Sequence, residues 1–127
     1  MAQCLSNKKN HYNVVIGDFN AKVGKKLTDQ EKCIGIHGLG TRNERGQKLL
    51  DFATAQNTKI ANTFFKKQKS RKWTWRSPNS EQFNEIDYIL CPMDIFIKDV
   101  TVVNCVNIGS DHCLLRAKVH LNTRLKE

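Results

Sequence analysis

At 127 residues the chain has room for one domain with a real core, and its apolar content of 39% is slightly low for a self-sufficient globule. A formal net charge of +9 favours a polyanion as partner, nucleic acid before an acidic membrane surface, although charge alone equally fits a soluble basic protein. No run approaches the roughly 20 apolar residues of a membrane span, and the polar start "MAQCLSNKKNHYN" lacks a signal-peptide core, so no membrane partner is expected.

In chain order, residues 1–11 are polar, lack periodicity and are expected to be disordered. Tyr12 to Asp18 reads as a strand, and Val14, Val15 and Ile16 run without alternation, as in a strand buried on both faces. A glycine-rich loop with Gly35, Gly38 and Gly40 follows. Thr41 and Glu44 fit a capping box for a helix in which Leu49, Leu50, Phe52 and Ala53 recur at helical spacing, with Asn57 as its stop. "KIANTFF" is the next strand. "RKWTWR" and "NEIDYIL" read as two strands joined through "SPNS". A further strand is expected near Val100 to Val103, "NIGSDH" is a loop, and "CLLRAKVHL" is the last strand before the polar tail, 122–127. The order gives an α/β or α+β class, one helix against a sheet. The five cysteines, Cys4, Cys33, Cys91, Cys105 and Cys113, show no zinc-site spacing and are odd in number, which predicts reduced thiols in an intracellular protein.

Four stretches carry residues suited to chemistry. In "GDFN", Asp18 and Asn20 are two apart, so a strand would project both to one side with Phe19 facing away. A carboxylate that takes a proton beside an amide that donates a hydrogen bond suits water activation, and both residues also favour a plain turn. In "EIDYIL", Asp87 sits among apolar neighbours and either finds a buried partner or faces solvent on an alternating strand. In "GSDH", Asp111 and His112 suit a metal or a phosphate, or else form a turn. In "KKQKSRKWTWR", Lys66, Lys67, Lys69, Arg71, Lys72 and Arg76 have no acid among them and suit nucleic-acid phosphates. Trp73 and Trp75, two apart on one strand face, suit packing more than base stacking.

Taken in order, "GDFNAKVG", "ERG" opening a helix, "IANTFF", "WTWRSPN", "NEIDYIL" and "GSDHCLLRAKV" resemble the endonuclease domain of non-LTR retrotransposons, of the craniofacial development protein 2-like and endonuclease–reverse transcriptase-like type. That domain belongs to the endonuclease/exonuclease/phosphatase superfamily with its DNase I-like fold. The resemblance runs from about Tyr12 to Leu125. It implies half of a DNase I-like four-layer α/β sandwich, mostly antiparallel with one main helix, residues 12–121 being the C-terminal half of the domain. It also implies metal-dependent hydrolysis of DNA phosphodiesters. Asp18 would orient or deprotonate the attacking water, Asn20 would hold it, His112 would meet the scissile phosphate, and Asp87 would fix His112. Asp111 and Asp18 would lie at Mg2+ or Mn2+. The family's first half supplies the main metal-binding Glu, for which these residues offer no candidate. The expectation is therefore weak metal binding and impaired nicking by this chain alone, with a catalytically inactive binding remnant as the alternative. Association through an uncovered sheet face, and a nuclear location set by a chromosomal substrate, complete the reading.

Overall fold

The computed structural model describes residues 13–103 and 111–120, and the fold is α+β. Its elements are β1 (Val15–Asp18), α1 (Glu44–Ala55), β2 (Thr58–Ile60), β3 (Trp75–Arg76), β4 (Phe83–Asn84), β5 (Asp87–Pro92), β6 (Phe96–Val102) and β7 (Leu115–His120). Short 3-10 turns occupy Ala61–Phe64 and Lys69–Arg71.

The centre is β5, paired antiparallel with β1 on one side and β2 on the other. Tyr88, Ile89, Leu90 and Cys91 are all buried, because both faces of this strand are covered. On one face Tyr88 and Leu90 pack with Leu49, Leu50 and Ala53 of α1 and with Val23 and Ile34. On the other, Ile89 and Cys91 pack with Ala61 of the turn after β2, with Ile95, and with Ile97 and Val100 of β6. Truncating a residue such as Leu50 to Ala would cost about 2–5 kcal/mol on general grounds. The buried Tyr88 hydroxyl ties the core to the segment after β1: it donates to the Glu85 carbonyl at 2.6 Å and accepts the Val23 N–H at 3.1 Å.

Several local expectations are corrected. The apolar run of β1 is not buried on both faces: Val14 and Ile16 are exposed, Ile16 by 66%, because β1 lies at the edge of the described sheet and the doubly covered place belongs to β5. The helix is capped by Asn43, not Thr41. The Asn43 Oδ1 accepts the Gly46 N–H at 2.8 Å and also the Lys22 N–H at 3.1 Å, so one amide both starts α1 and pins the loop after β1. Asn57, the expected stop, lies two residues past the helix with a left-handed φ of 54°. "KIANTFF" is a strand only to Ile60, since Thr63 turns back to donate its hydroxyl to the Ile60 carbonyl. "RKWTWR" and "NEIDYIL" do not pair along their lengths. The β3–β4 ribbon holds only Trp75–Asn84 and Arg76–Phe83, and β5 then leaves it to enter the sheet between β1 and β2. Cys33 and Cys91 are free thiols, but Cys113 is disulfide-bonded, because spacing along the chain does not reveal what the fold brings together. Residues 1–11 and the tail 122–127 lie outside the described residues.

Glycine is required where α1 crosses the site-bearing segment. A Cβ on Gly46 would overlap the Lys22 backbone carbonyl, so the first turn of α1 rests directly on the chain that leaves β1.

Candidate functional site

Three separate elements converge at one end of the sheet. Antiparallel register sets Asp18, the last residue of β1, opposite Asp87, the first of β5. His112 reaches them by an isolated bridge to Trp75, reinforced by hydrogen bonds from the Arg76 N–H to the Asp111 carbonyl at 3.0 Å and from the Cys113 N–H to the Thr74 carbonyl at 2.8 Å. The β3 strand thus carries the Asp111–His112 pair to the sheet end.

The geometry is that of an oriented imidazole. His112 Nδ1 lies 2.8 Å from Asp87 Oδ2, while Nε2 faces Asp18 Oδ2 at 3.5 Å and Asp111 Oδ1 at 4.0 Å. Burial draws the His112 pKa down, but the Asp87 hydrogen bond and the charges of Asp87, Asp18 and Asp111 outweigh it and leave the pKa raised. Asp87 is half-buried, and burial pushes its pKa up against the hydrogen bonds from His112 and Thr74. Of the two readings open for Asp87, the partnered one holds. Asn20 takes a left-handed φ of 49° and its backbone N–H donates to Asp18 Oδ1 at 2.8 Å, so the pair is joined locally as in a turn. Their side chains nevertheless open on one cavity of about 450 Å³, lined also by Lys22, Asn43, Trp75, Gln82, Asn84 and His112.

Two residues of this site carried no signal of function in the sequence. Thr74 is wholly buried. Its hydroxyl oxygen accepts the Ile86 N–H at 3.0 Å and the Asp87 N–H at 3.1 Å. It fixes the backbone at Asp87. The spacing predicts that Trp75 packs with Trp73, but the two part company: Trp73 packs on Phe83 with ring centroids 4.8 Å apart, while Trp75 walls the cavity and its Nε1 donates to Asp111 Oδ2 at 3.2 Å. Only the short β3 strand is extended here, so two-residue spacing did not guarantee a shared face.

The basic stretch divides. Lys66, Lys69 and Arg76 are exposed; Lys67 is paired with Asp99 at 2.7 Å, and exposed Arg71 reaches the Val102 carbonyl at 3.4 Å. Lys72 is withdrawn from any phosphate role because it is buried, its ammonium donating to the carbonyls of Asn62 at 2.6 Å and Phe65 at 3.1 Å and lying 3.7 Å from Glu85 Oε2. Burial lowers the Lys72 pKa and raises that of Glu85, and each opposes the shift of the other. Glu85 Oε1 accepts the Leu39 N–H at 3.0 Å, and Asn62 donates to the Asp87 carbonyl at 3.0 Å, so this buried network underlies the strand that presents Asp87.

For a divalent cation the donor set is informative. Asp18, Asp87 and His112 each offer a ligand atom within 4.8 Å of the others. Asp87 is already engaged with His112 at 2.8 Å, while the carboxylates of Asp18 and Asp111 are exposed.

The chain is similar to craniofacial development protein 2. It is 37% identical to that protein of Tragulus javanicus and 35% identical to that of Bos taurus, over 113 residues in each, covering 87% of this chain. It spans about a fifth of the length of these craniofacial development protein 2 relatives, 19% in both cases. No family model and no solved structure matches it. The name of the relatives states no chemistry, so the function of the site is argued from its geometry.

Proposed function

We propose that this chain carries the histidine–aspartate part of a Mg2+-dependent site that hydrolyses DNA phosphodiesters, of the non-LTR retrotransposon endonuclease type with a DNase I-like fold. The observation that carries the reading is His112, held through Nδ1 by Asp87 at 2.8 Å, with Nε2 3.5 Å from Asp18 Oδ2 and 4.0 Å from Asp111 Oδ1 and the ring lining the same cavity as Asp18 and Asn20. The neighbouring carboxylates favour the protonated imidazole, and an Nε2–H is the donor that a phosphate oxygen gaining charge requires. Asp18 accepts a proton from water poised against that phosphate, and the Asn20 amide holds the water on the same cavity wall. Asp18 and Asp111 are the residues that would hold Mg2+, which when bound supplies positive charge to the phosphate oxygens. Lys66, Lys69 and Arg76 contact flanking phosphates, and the open face of β1 at Val14 and Ile16 takes a further layer or partner. A chromosomal substrate sets the nucleus as the working compartment.

The test is relaxation of supercoiled plasmid with Mg2+ or Mn2+, by this chain and by a full-length relative. Weak nicking is expected from the chain and robust nicking from the relative. His112→Ala or Asp18→Ala here, and the matching changes there, would reduce it by about 10²–10³-fold, as for loss of a single transition-state donor. A full-length relative inert with both metals would overturn the hydrolytic reading. The second reading, a nucleic-acid-binding or protein-interaction module without turnover, is favoured by the small count of open carboxylates. It predicts DNA binding that survives His112→Ala with no nicking at all.

A further inference from the structure

The segment Asp18–Lys22 separates two cavities. Asp18, Asn20 and Lys22 line the one described above, while Phe19 and Ala21 line the other, about 330 Å³, with Arg45, Lys48, Leu49 and Phe52 of α1. The floor of this second groove is aromatic and aliphatic. Its rim holds Arg45 and Lys48, both exposed and without a hydrogen-bond or ion-pair partner among the described residues. Residues 45, 48, 49 and 52 form a single stripe along α1, the spacing at which one helix face meets a ligand.

We infer that this groove is a docking site for an acidic segment of a partner protein that inserts a bulky apolar side chain between Phe19 and Phe52 and pairs its carboxylates with Arg45 and Lys48. The chemistry selects this occupant. A nucleic-acid backbone would satisfy the two cations and leave the apolar floor wet, and a purely apolar segment would leave the cations unused. An acidic amphipathic segment covers both, the mode by which helices seat in apolar grooves rimmed with opposite charge. The surface stands apart from the hydrolytic reading, since no residue of the groove touches His112 or the carboxylates.

A phage-displayed library of short random peptides panned on the whole chain tests it. Enrichment of peptides that combine Asp or Glu with Leu, Phe or Trp is expected. Fluorescence anisotropy should show that Arg45→Glu/Lys48→Glu weakens the selected peptides by about tenfold or more, and Lys48→Ala by less. Both positions are exposed, so an unchanged thermal melt shows that the charge reversal left the fold intact. Selection of basic peptides, equal binding to the charge-reversed chain, or full displacement by a single-stranded oligonucleotide would each overturn the proposal. The plasmid assay does not enter, so this surface fails or stands independently of nuclease activity.

Discussion

Thr74→Val removes one hydroxyl and nearly nothing else, which makes it the sharpest probe of how Asp87 is held. A hydroxyl offers one donor and two acceptor lone pairs. Here the two acceptor places are taken by the N–H groups of Ile86 and Asp87 at 3.0 and 3.1 Å. Valine keeps the shape and leaves two N–H groups without an acceptor in a place where residue 74 is 0% exposed. An orphaned buried donor costs about 1–3 kcal/mol, and two that shared one acceptor relax partly together, so a loss of about 2–4 kcal/mol is expected. Thr74→Ser keeps the hydroxyl and loses a buried methyl, at about 1 kcal/mol. Urea unfolding followed by tryptophan fluorescence gives both values from the shift in midpoint at constant slope. The order valine worse than serine separates hydrogen bonding from packing, because valine is the better isostere. If valine were within about 0.5 kcal/mol of wild type, or serine were the worse of the two, the assignment of Thr74 as the clamp on Asp87 would be refuted.

Gly46→Ala should destabilise by about 1–3 kcal/mol despite the better helix propensity of alanine, since the new methyl meets the Lys22 carbonyl; a stabilised thermal melt would contradict that contact. Glu31 is held at a pKa of about 2, first by the hydrogen bonds of the Arg42 guanidinium, which grips it at 2.8 and 2.9 Å. A depressed folded-state value means the stabilisation is complete above the ordinary value of 4.5 and is lost as pH falls from there toward about 2. With solvent screening it is on the order of 1–2 kcal/mol, and Glu31→Gln should flatten that part of the stability–pH curve. Lys72→Met strands the buried Glu85 carboxylate and should cost about 3–5 kcal/mol by urea melts, with partial recovery in Lys72→Met/Glu85→Gln. Affinity for duplex DNA should fall with salt at a log–log slope that Lys66→Ala/Lys69→Ala/Arg76→Ala makes shallower by about 3, read by anisotropy over a salt series; an unchanged slope would remove these residues from the phosphate contacts.

The α+β class and most element positions were legible because they rest on local signals: apolar runs for β1 and β5, helical recurrence of Leu49, Leu50 and Ala53, and a last strand after the "SDH" loop. The errors came where a tertiary contact decided between local options. Thr41 and Asn43 both precede α1, and Asn43 became the cap because its side chain also binds the Lys22 N–H across the fold. "NEIDYIL" follows a good turn signal, yet β5 is claimed by β1 and β2, which bury both its faces.

The same distinction explains why the acidic and imidazole groups of the site could be named from sequence and its supports could not. Asp18, Asp87 and His112 each have a plain structural reading alone, and the ordered motifs "GDFN", "IDY" and "SDH" single them out together. Thr74 and Lys72 are unremarkable residues whose weight comes from what surrounds them. Lys72 shares a stretch with Lys66 and Lys69, and composition gives all three the same part. Its ammonium instead spends its donors on two carbonyls and a buried carboxylate beneath β5. Desolvation makes that arrangement expensive unless every member is satisfied, and among the described residues no buried side-chain polar atom lacks a partner. A network that is costly when broken holds β5 in one register. Register, in turn, sets Asp87 opposite Asp18 and within 2.8 Å of His112. The precision of the Asp18–Asp87–His112 cluster is thus borrowed from a buried ion pair beneath it.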